Sequence, residues 1–100
     1  MNLNELPGAE FILPGLSDLQ NGKDNTIESL LVAIAATRLA KAGLAVSKDN
    51  LAPEPELTLY NRLQAERDDA YPYYNALLFR LNSFCTALEL GALQASLTMN

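Results

Sequence analysis

The chain contains no histidine and no tryptophan, and it has a single cysteine among its 100 residues. These absences exclude a Cys/His zinc site and any catalytic triad that uses histidine as its base. One cysteine also excludes an internal disulfide framework. No glycine-rich phosphate loop or dinucleotide-binding motif is present. We therefore expect no catalytic residues, no cofactor and no metal ligands, and we expect that the protein is not an enzyme.

Positive charge is scarce as well, because 7 lysines and arginines stand against 12 aspartates and glutamates and give a net charge of −5. Nucleic-acid affinity comes mainly from basic side chains that neutralise phosphates, so we expect no nucleic-acid partner. No stretch approaches the roughly 20 apolar residues of a membrane span, and the N-terminus lacks the pattern of an export signal. We expect no membrane contact and, with one cysteine, a cytoplasmic location.

β-Branched residues are few, and no segment alternates between apolar and polar residues as a strand does. The sequence therefore predicts an all-α fold, a small helical bundle that forms one domain over residues 1–100. Its predicted parts are three main helices (about 26–42, 55–66, and 72–90 or longer), a short leading helix (about 15–21) and an irregular N-terminal arm (1–14) packed on the body.

Start and stop signals set these boundaries. Gly43 is placed to end the first main helix, and Pro55 and Pro72 suit the first turns of the next two. Asn25 and Glu28 have the spacing of a capping box at the start of the first main helix. In the arm, the triplet Leu-Pro-Gly occurs twice, at 6–8 and 13–15, and each copy predicts a tight turn.

Apolar residues exceed what three helices can cover among themselves. The last helix has a core stripe that includes Leu77, Leu81 and Phe84, and a second apolar direction on its opposite side. Beyond Pro72 the only charges are Arg80 and Glu89. We therefore expect a homodimer or a protein partner, with interface candidates Phe79, Leu90, Leu93 and Leu97 on the last helix and the small residues Ala33, Ala36 and Ala40 on the first main helix. The competing interpretation is a monomer in which the N-terminal arm, through Phe11–Leu13, covers the excess.

Several polar and aromatic residues are candidates for a site. Arg38 falls on an apolar helix face, so we expect it either to pair with a carboxylate or to bind an anion. The obvious carboxylate partners are Glu66, Asp68 and Asp69. Arg80 borders an apolar face and has the same two alternatives. The aromatic cluster comprises Tyr60, Tyr71, Tyr73 and Tyr74, and it suits either an interface or a cap over the turn between the last two helices.

Cys85 lies on the core stripe with no histidine to activate it, so we interpret it as a packing residue.

Two functional hypotheses follow. The first is a small non-catalytic interaction protein, such as an adaptor, a regulatory subunit or an antitoxin-like partner, that acts through an apolar helix face and needs no small-molecule ligand. The alternative is a ligand-binding or enzymatic helical protein that uses an inter-helical pocket with Arg38, Arg80 and Tyr74.

Overall fold

A computed structural model describes residues 3–47 and 51–98 of the chain, with side chains described over 3–47 and 51–91. The predicted all-α class is confirmed: the described residues form helices and loops and contain no strand. The elements in chain order are a 3-10 turn (Leu3–Glu5), α1 (Ala9–Gln20), α2 (Ile27–Ile34), α3 (Ala36–Lys41), α4 (Pro55–Glu66) and α5 (Ala70–Thr98).

Most of the predicted helix boundaries are confirmed. Helix α4 starts at Pro55, and Pro72 lies in the first turn of α5, which continues well past residue 90. Gly22 and Gly43 follow α1 and α3 with φ angles of 78° and 103°, the left-handed conformation that commonly ends a helix. Helix stops and prolines in first turns were therefore reliable signals in this sequence.

The predicted irregular arm is wrong from Ala9 onward, because α1 begins there and continues through Pro14. For the same reason the short leading helix predicted over about 15–21 starts too late, and the turn predicted at 13–15 is wrong. A proline in a helix interior has no N–H to donate and costs about 3 kcal/mol relative to alanine. Apolar burial favours the helix against this cost, since Ile12 and Leu19 are almost completely buried. Complete burial of side chains of this kind contributes about 1.5–3 kcal/mol each.

The first Leu-Pro-Gly copy does form the predicted turn. Gly8 adopts φ 85° and ψ −2°, and the Ala9 N–H donates to the Leu6 carbonyl oxygen at 3.2 Å. Gly8 also lies against α5, where a Cβ on it would come within 2.6 Å of the Arg80 carbonyl oxygen. The turn therefore places the start of α1 directly on the backbone of α5.

Helix α2 begins one residue later than the predicted capping box implies. Thr26 is the N-cap, its side-chain oxygen accepts a hydrogen bond from the Ser29 N–H at 3.0 Å, and the Ser29 hydroxyl oxygen accepts one from the Thr26 N–H at 3.0 Å. The Thr26 hydroxyl donates to the Asp18 carboxylate at 2.7 Å. Asn25 and Glu28 are therefore not the cap, and the true cap also ties α2 to α1.

The single helix predicted over 26–42 is divided at Ala35, where φ is −104° and ψ is 16°. The sequence around this position contains no proline or glycine to mark the break. The hydrogen bonds from the Ala35 N–H to the Leu31 carbonyl oxygen and from the Leu39 N–H to the Ala35 carbonyl oxygen are kept across the break.

The helices pack in series, α1 on α2, α2 on α4 and α4 on α5, and the start of α1 also contacts α5. The molecule is elongated, 51 × 28 × 19 Å, since the 29 residues of α5 span about 43 Å. The fully buried side chains at its centre include Ile12, Leu19, Leu30, Leu31, Leu39, Leu59, Leu63, Leu77 and Phe84.

Candidate interaction surface

The side of α5 opposite the buried stripe carries exposed residues without charge. The buried side chains Leu77, Leu81 and Leu88 mark the inner side of the helix. At about 100° per residue, the opposite direction falls on the half-buried Ser83 and on a second series of residues that are exposed. We call this series the outer face of α5; it consists of Pro72, Asn75, Phe79, Asn82, Thr86 and Leu90.

Two large apolar side chains dominate the outer face. Phe79 is 70% exposed and Leu90 is 55% exposed, and they are separated by about 16 Å along the helix. Single exposed apolar residues are ordinary on a protein surface, but a solvated helix face usually carries charged side chains between them. The outer face of α5 has none, and this combination makes it a candidate for contact with another surface.

The two charged residues of α5 flank the outer face and are engaged elsewhere. Arg80 pairs with Glu10 of α1, and Glu89 pairs with Arg38 of α3. These pairs connect α5 to two other helices. These charged side chains stay partly exposed at the edges of the outer face, and the Arg38 guanidinium also donates a hydrogen bond to Asn82 of that face.

Arg38 forms an ion pair as expected, but neither the predicted partners nor the predicted burial is correct. Its guanidinium donates two hydrogen bonds to the Glu89 carboxylate, at 2.8 and 3.0 Å, and a third to the Asn82 side-chain oxygen at 3.0 Å. Its side chain is 42% exposed, and Ile27 and Ile34, which share its side of the helical wheel, are only half-buried. The hydrogen bonds from Arg38 lower the pKa of the Glu89 carboxyl below its ordinary value.

The acidic residues that were expected to pair with Arg38 have other neighbours. Glu66 pairs with Arg62 at 3.3 Å, the i,i+4 spacing of one helix face. Asp69 pairs with Arg67 at 2.5 Å, and Asp68 is exposed. Arg80 is also not a buried charge, since its side chain is 48% exposed.

The remaining interface candidates divide into two groups. Ala36 is buried within its own chain, and Ala33 and Ala40 are half-buried, so the small-residue face of the first main helix is not an open surface. Leu93 and Leu97 lie outside the residues whose side chains the structure describes. The exposed apolar surface in the described part of the predicted interface is thus concentrated at Phe79 and Leu90.

Cys85 is buried with 1% exposure, in the core next to Phe84. Burial raises the pKa of its thiol, although the Arg38 charge acts in the opposite direction. A protonated, inaccessible thiol is a poor nucleophile, so the geometry agrees with a packing role.

Three of the four tyrosines form the aromatic cluster. The Tyr60 ring lies 5.3 Å from that of Tyr74 and 6.5 Å from that of Tyr71, nearly perpendicular to both. Tyr73 is separate, with the Arg67 guanidinium 3.7 Å from its ring centre. The cluster covers the junction of α4 and α5, where the sequence predicted it.

The pocket of the alternative hypothesis is not assembled. Tyr74 faces α4, Arg80 pairs with α1, and Arg38 pairs with Glu89, which lies about 22 Å along α5 from Tyr74. These three side chains therefore occupy separate places on the molecule. The charges that the ligand-binding hypothesis needed are committed to contacts between helices.

Sequence reasoning missed both Leu57, which is 54% exposed beside the tyrosines, and Glu56, which lines the same surface. It also did not identify Glu10 as the partner of Arg80. The spacing of Glu56, Leu57 and Tyr60 along one helix could have indicated a shared surface, whereas the pairing of Glu10 depends on tertiary packing.

Comparisons with family models, curated proteins and solved structures returned no match for this chain. Within the part of the chain that the structure describes, no helix is both long enough and apolar enough to cross a membrane. The same residues contain no group of three or more potential metal ligands.

Proposed function

We propose that this is a small non-catalytic interaction protein that forms a homodimer through the outer face of α5. The observation that carries the proposal is the 70% exposure of Phe79 on an uncharged face of the longest helix. An exposed phenylalanine in such surroundings gains free energy when another apolar surface covers it.

The N-terminal segment is relevant to the competing interpretation, which is a monomer that covers its own excess apolar surface. Helix α1 packs on α2, and its Ile12 and Leu19 are buried there, so this segment does cover apolar surface. It leaves Phe79 and Leu90 exposed. The covering by α1 therefore removes the first main helix from the proposed interface and restricts the proposal to α5.

The expected dimer is reversible. Because Phe79 is 70% and Leu90 55% exposed, covering what remains of them contributes about 1–2 kcal/mol for each side chain, or about 4–7 kcal/mol for the four side chains of two copies. The loss of translational and rotational freedom on association costs roughly 4–15 kcal/mol. The sequence pattern extends the same apolar direction to Leu93 and Leu97, which would add to the favourable side. The free energy gained by burial and the cost of association are of similar size, so we expect a dimer that dissociates on dilution.

Light scattering after size-exclusion chromatography tests the proposal, with the protein loaded over a range of concentrations. The chain has a mass of 10.9 kDa, and we expect the measured mass to approach twice that value at high concentration. The double variant Phe79→Asp, Leu90→Asp should remain monomeric, because four carboxylates would face one another in the interface.

Leu57→Asp is the matched control, since Leu57 is a leucine of similar exposure that lies on α4 and not on the outer face. It should dimerise like the parent chain, and circular dichroism should show the same helix content in all three proteins. A parent chain that remains monomeric at high concentration, or a control that loses the dimer equally, would contradict the proposal.

A further inference from the structure

A groove about 470 Å³ in volume lies where α4 meets the beginning of α5, away from the outer face of α5. Its lining consists of Glu56, Leu57, Tyr60, Tyr71 and Tyr74. The volume lies within the range of small-ligand sites, which is about 300–1,000 Å³. Three of its five lining residues are tyrosines.

The rings are held at right angles. Tyr60 makes angles of 84° with Tyr71 and 81° with Tyr74, so ring planes in two different orientations border the groove. Tyr60 and Tyr74 are half-buried and anchored in the junction, whereas Tyr71 is 65% exposed at its edge. A ring face carries partial negative charge and attracts a cation placed over it. In each of these edge-to-face pairs one ring face is covered by the edge of the other ring, and the exposed Tyr71 ring is the most accessible of the three.

The charge of the lining also favours a cation. Glu56 is the charged member of the lining, and neither lysine nor arginine is part of it. No ion pair engages Glu56 among the residues that the structure describes. Its carboxylate lies close enough to Tyr74 to add to the effect of burial in raising the pKa of that phenol.

This set of groups discriminates between classes of ligand. An anion would meet the Glu56 carboxylate, with no basic side chain in the lining to bind it. A strongly hydrated cation such as Na⁺ would lose its water without enough oxygen ligands in return. A cation surrounded by alkyl groups is weakly hydrated, fits apolar walls and is attracted by both the rings and the carboxylate.

We propose that the groove formed by Glu56, Leu57, Tyr60, Tyr71 and Tyr74 binds an organic cation that carries an alkylated ammonium group. This inference is independent of the dimer, because none of these residues belongs to the outer face of α5. The same chemistry occurs in free quaternary amines and in trimethylated lysine side chains, and the experiment separates the two sources.

The test is a nuclear magnetic resonance titration of the full-length protein with two probes at constant ionic strength. Choline is the cationic probe, and 3,3-dimethylbutan-1-ol is its neutral counterpart of the same shape. We expect choline to cause saturable shifts confined to the groove, with a dissociation constant on the order of 10 mM or tighter. The neutral alcohol should bind at least about threefold more weakly. A parallel titration with an N-acetylated trimethyl-lysine amide shows whether a modified side chain binds better than the free amine.

Two variants locate the effect. Glu56→Gln removes the charge and keeps the shape, and Tyr71→Leu removes a ring that is mostly exposed, so both should fold. Each should weaken choline binding about two- to fivefold, whereas Tyr71→Phe should retain it. Binding of either cation that is tighter than binding of the neutral alcohol supports the proposal. The cation that binds more tightly of the two identifies the source. Equal binding of choline and the neutral alcohol, or no saturable shift with either cation, would overturn it.

Discussion

The contact between α1 and α2 depends on the absence of a side chain at Gly15, and replacing it by alanine is the most quantitative test of the fold. A Cβ at this position would come within 2.7 Å of both the Glu28 carbonyl carbon and a methyl carbon of Val32. One of these neighbours is backbone, so relief requires α1 to move away from α2.

Two opposing effects determine the expected size of the change. Alanine is favoured over glycine inside a helix by up to about 1 kcal/mol. Overpacking a tight contact costs about 1–3 kcal/mol, and the backbone clash at Gly15 places it towards the upper end of that range. We therefore expect Gly15→Ala to lower the free energy of unfolding by about 1–2 kcal/mol. The midpoint of thermal unfolding should then fall by roughly 5–15 °C, as is usual for domains of this size.

Urea denaturation followed by circular dichroism measures this difference, with all proteins at one concentration. Ser17→Ala is the matched control, because Ser17 is exposed in the same helix and gains alanine's helix propensity without a clash. The control should change stability by no more than about 0.5 kcal/mol. If Gly15→Ala were as stable as the parent chain or more stable, the close approach of α1 and α2 described here would be incorrect.

Two further predictions follow from the polar contacts. Thr26→Ala removes the N-cap of α2 and the hydrogen bond to α1, and should cost about 1–2 kcal/mol in urea denaturation, whereas Thr37→Ala at an exposed position of α3 should cost less than about 0.5 kcal/mol. The lowered pKa of Glu89 means that its pair with Arg38 stabilises the fold at pH values above the ordinary pKa of about 4.5 and that this contribution is lost as the pH falls through the lowered value. The stability difference between the parent chain and Glu89→Gln should therefore be small, since the pair is exposed, and should shrink further on acidification; a difference that grows as the pH falls would contradict the described pair.

Local signals in the sequence were sufficient for the fold class and for most helix ends. Gly43 and Pro55 act through their own backbone preferences, which no distant residue needs to support. Pro14 shows where this reasoning fails, because its local cost is outweighed by the packing of α1 on α2, and that packing is not visible in a window of neighbouring residues. The break at Ala35 has no local marker either, so the division of the predicted helix into α2 and α3 could not be anticipated.

The candidate surface was predictable to a similar degree. The outer position of Phe79 follows from helical periodicity alone, and its exposure is as expected. Which of the apolar faces would remain uncovered depended on α1, whose course the sequence did not reveal. The groove beside Tyr60 combines residues from two helices. The tyrosines were assigned to that junction from the sequence and Leu57 was overlooked, although its i,i+3 spacing to Tyr60 was a usable signal.

The central claim is that the outer face of α5 contacts a second copy of the chain. Isotope-filtered nuclear Overhauser spectroscopy on an equimolar mixture of labelled and unlabelled protein, at a concentration that favours association, examines that contact directly. We expect cross-peaks between the Phe79 ring of labelled chains and methyl groups of unlabelled chains. Their complete absence, together with a measured mass that stays at 10.9 kDa at that concentration, would contradict it.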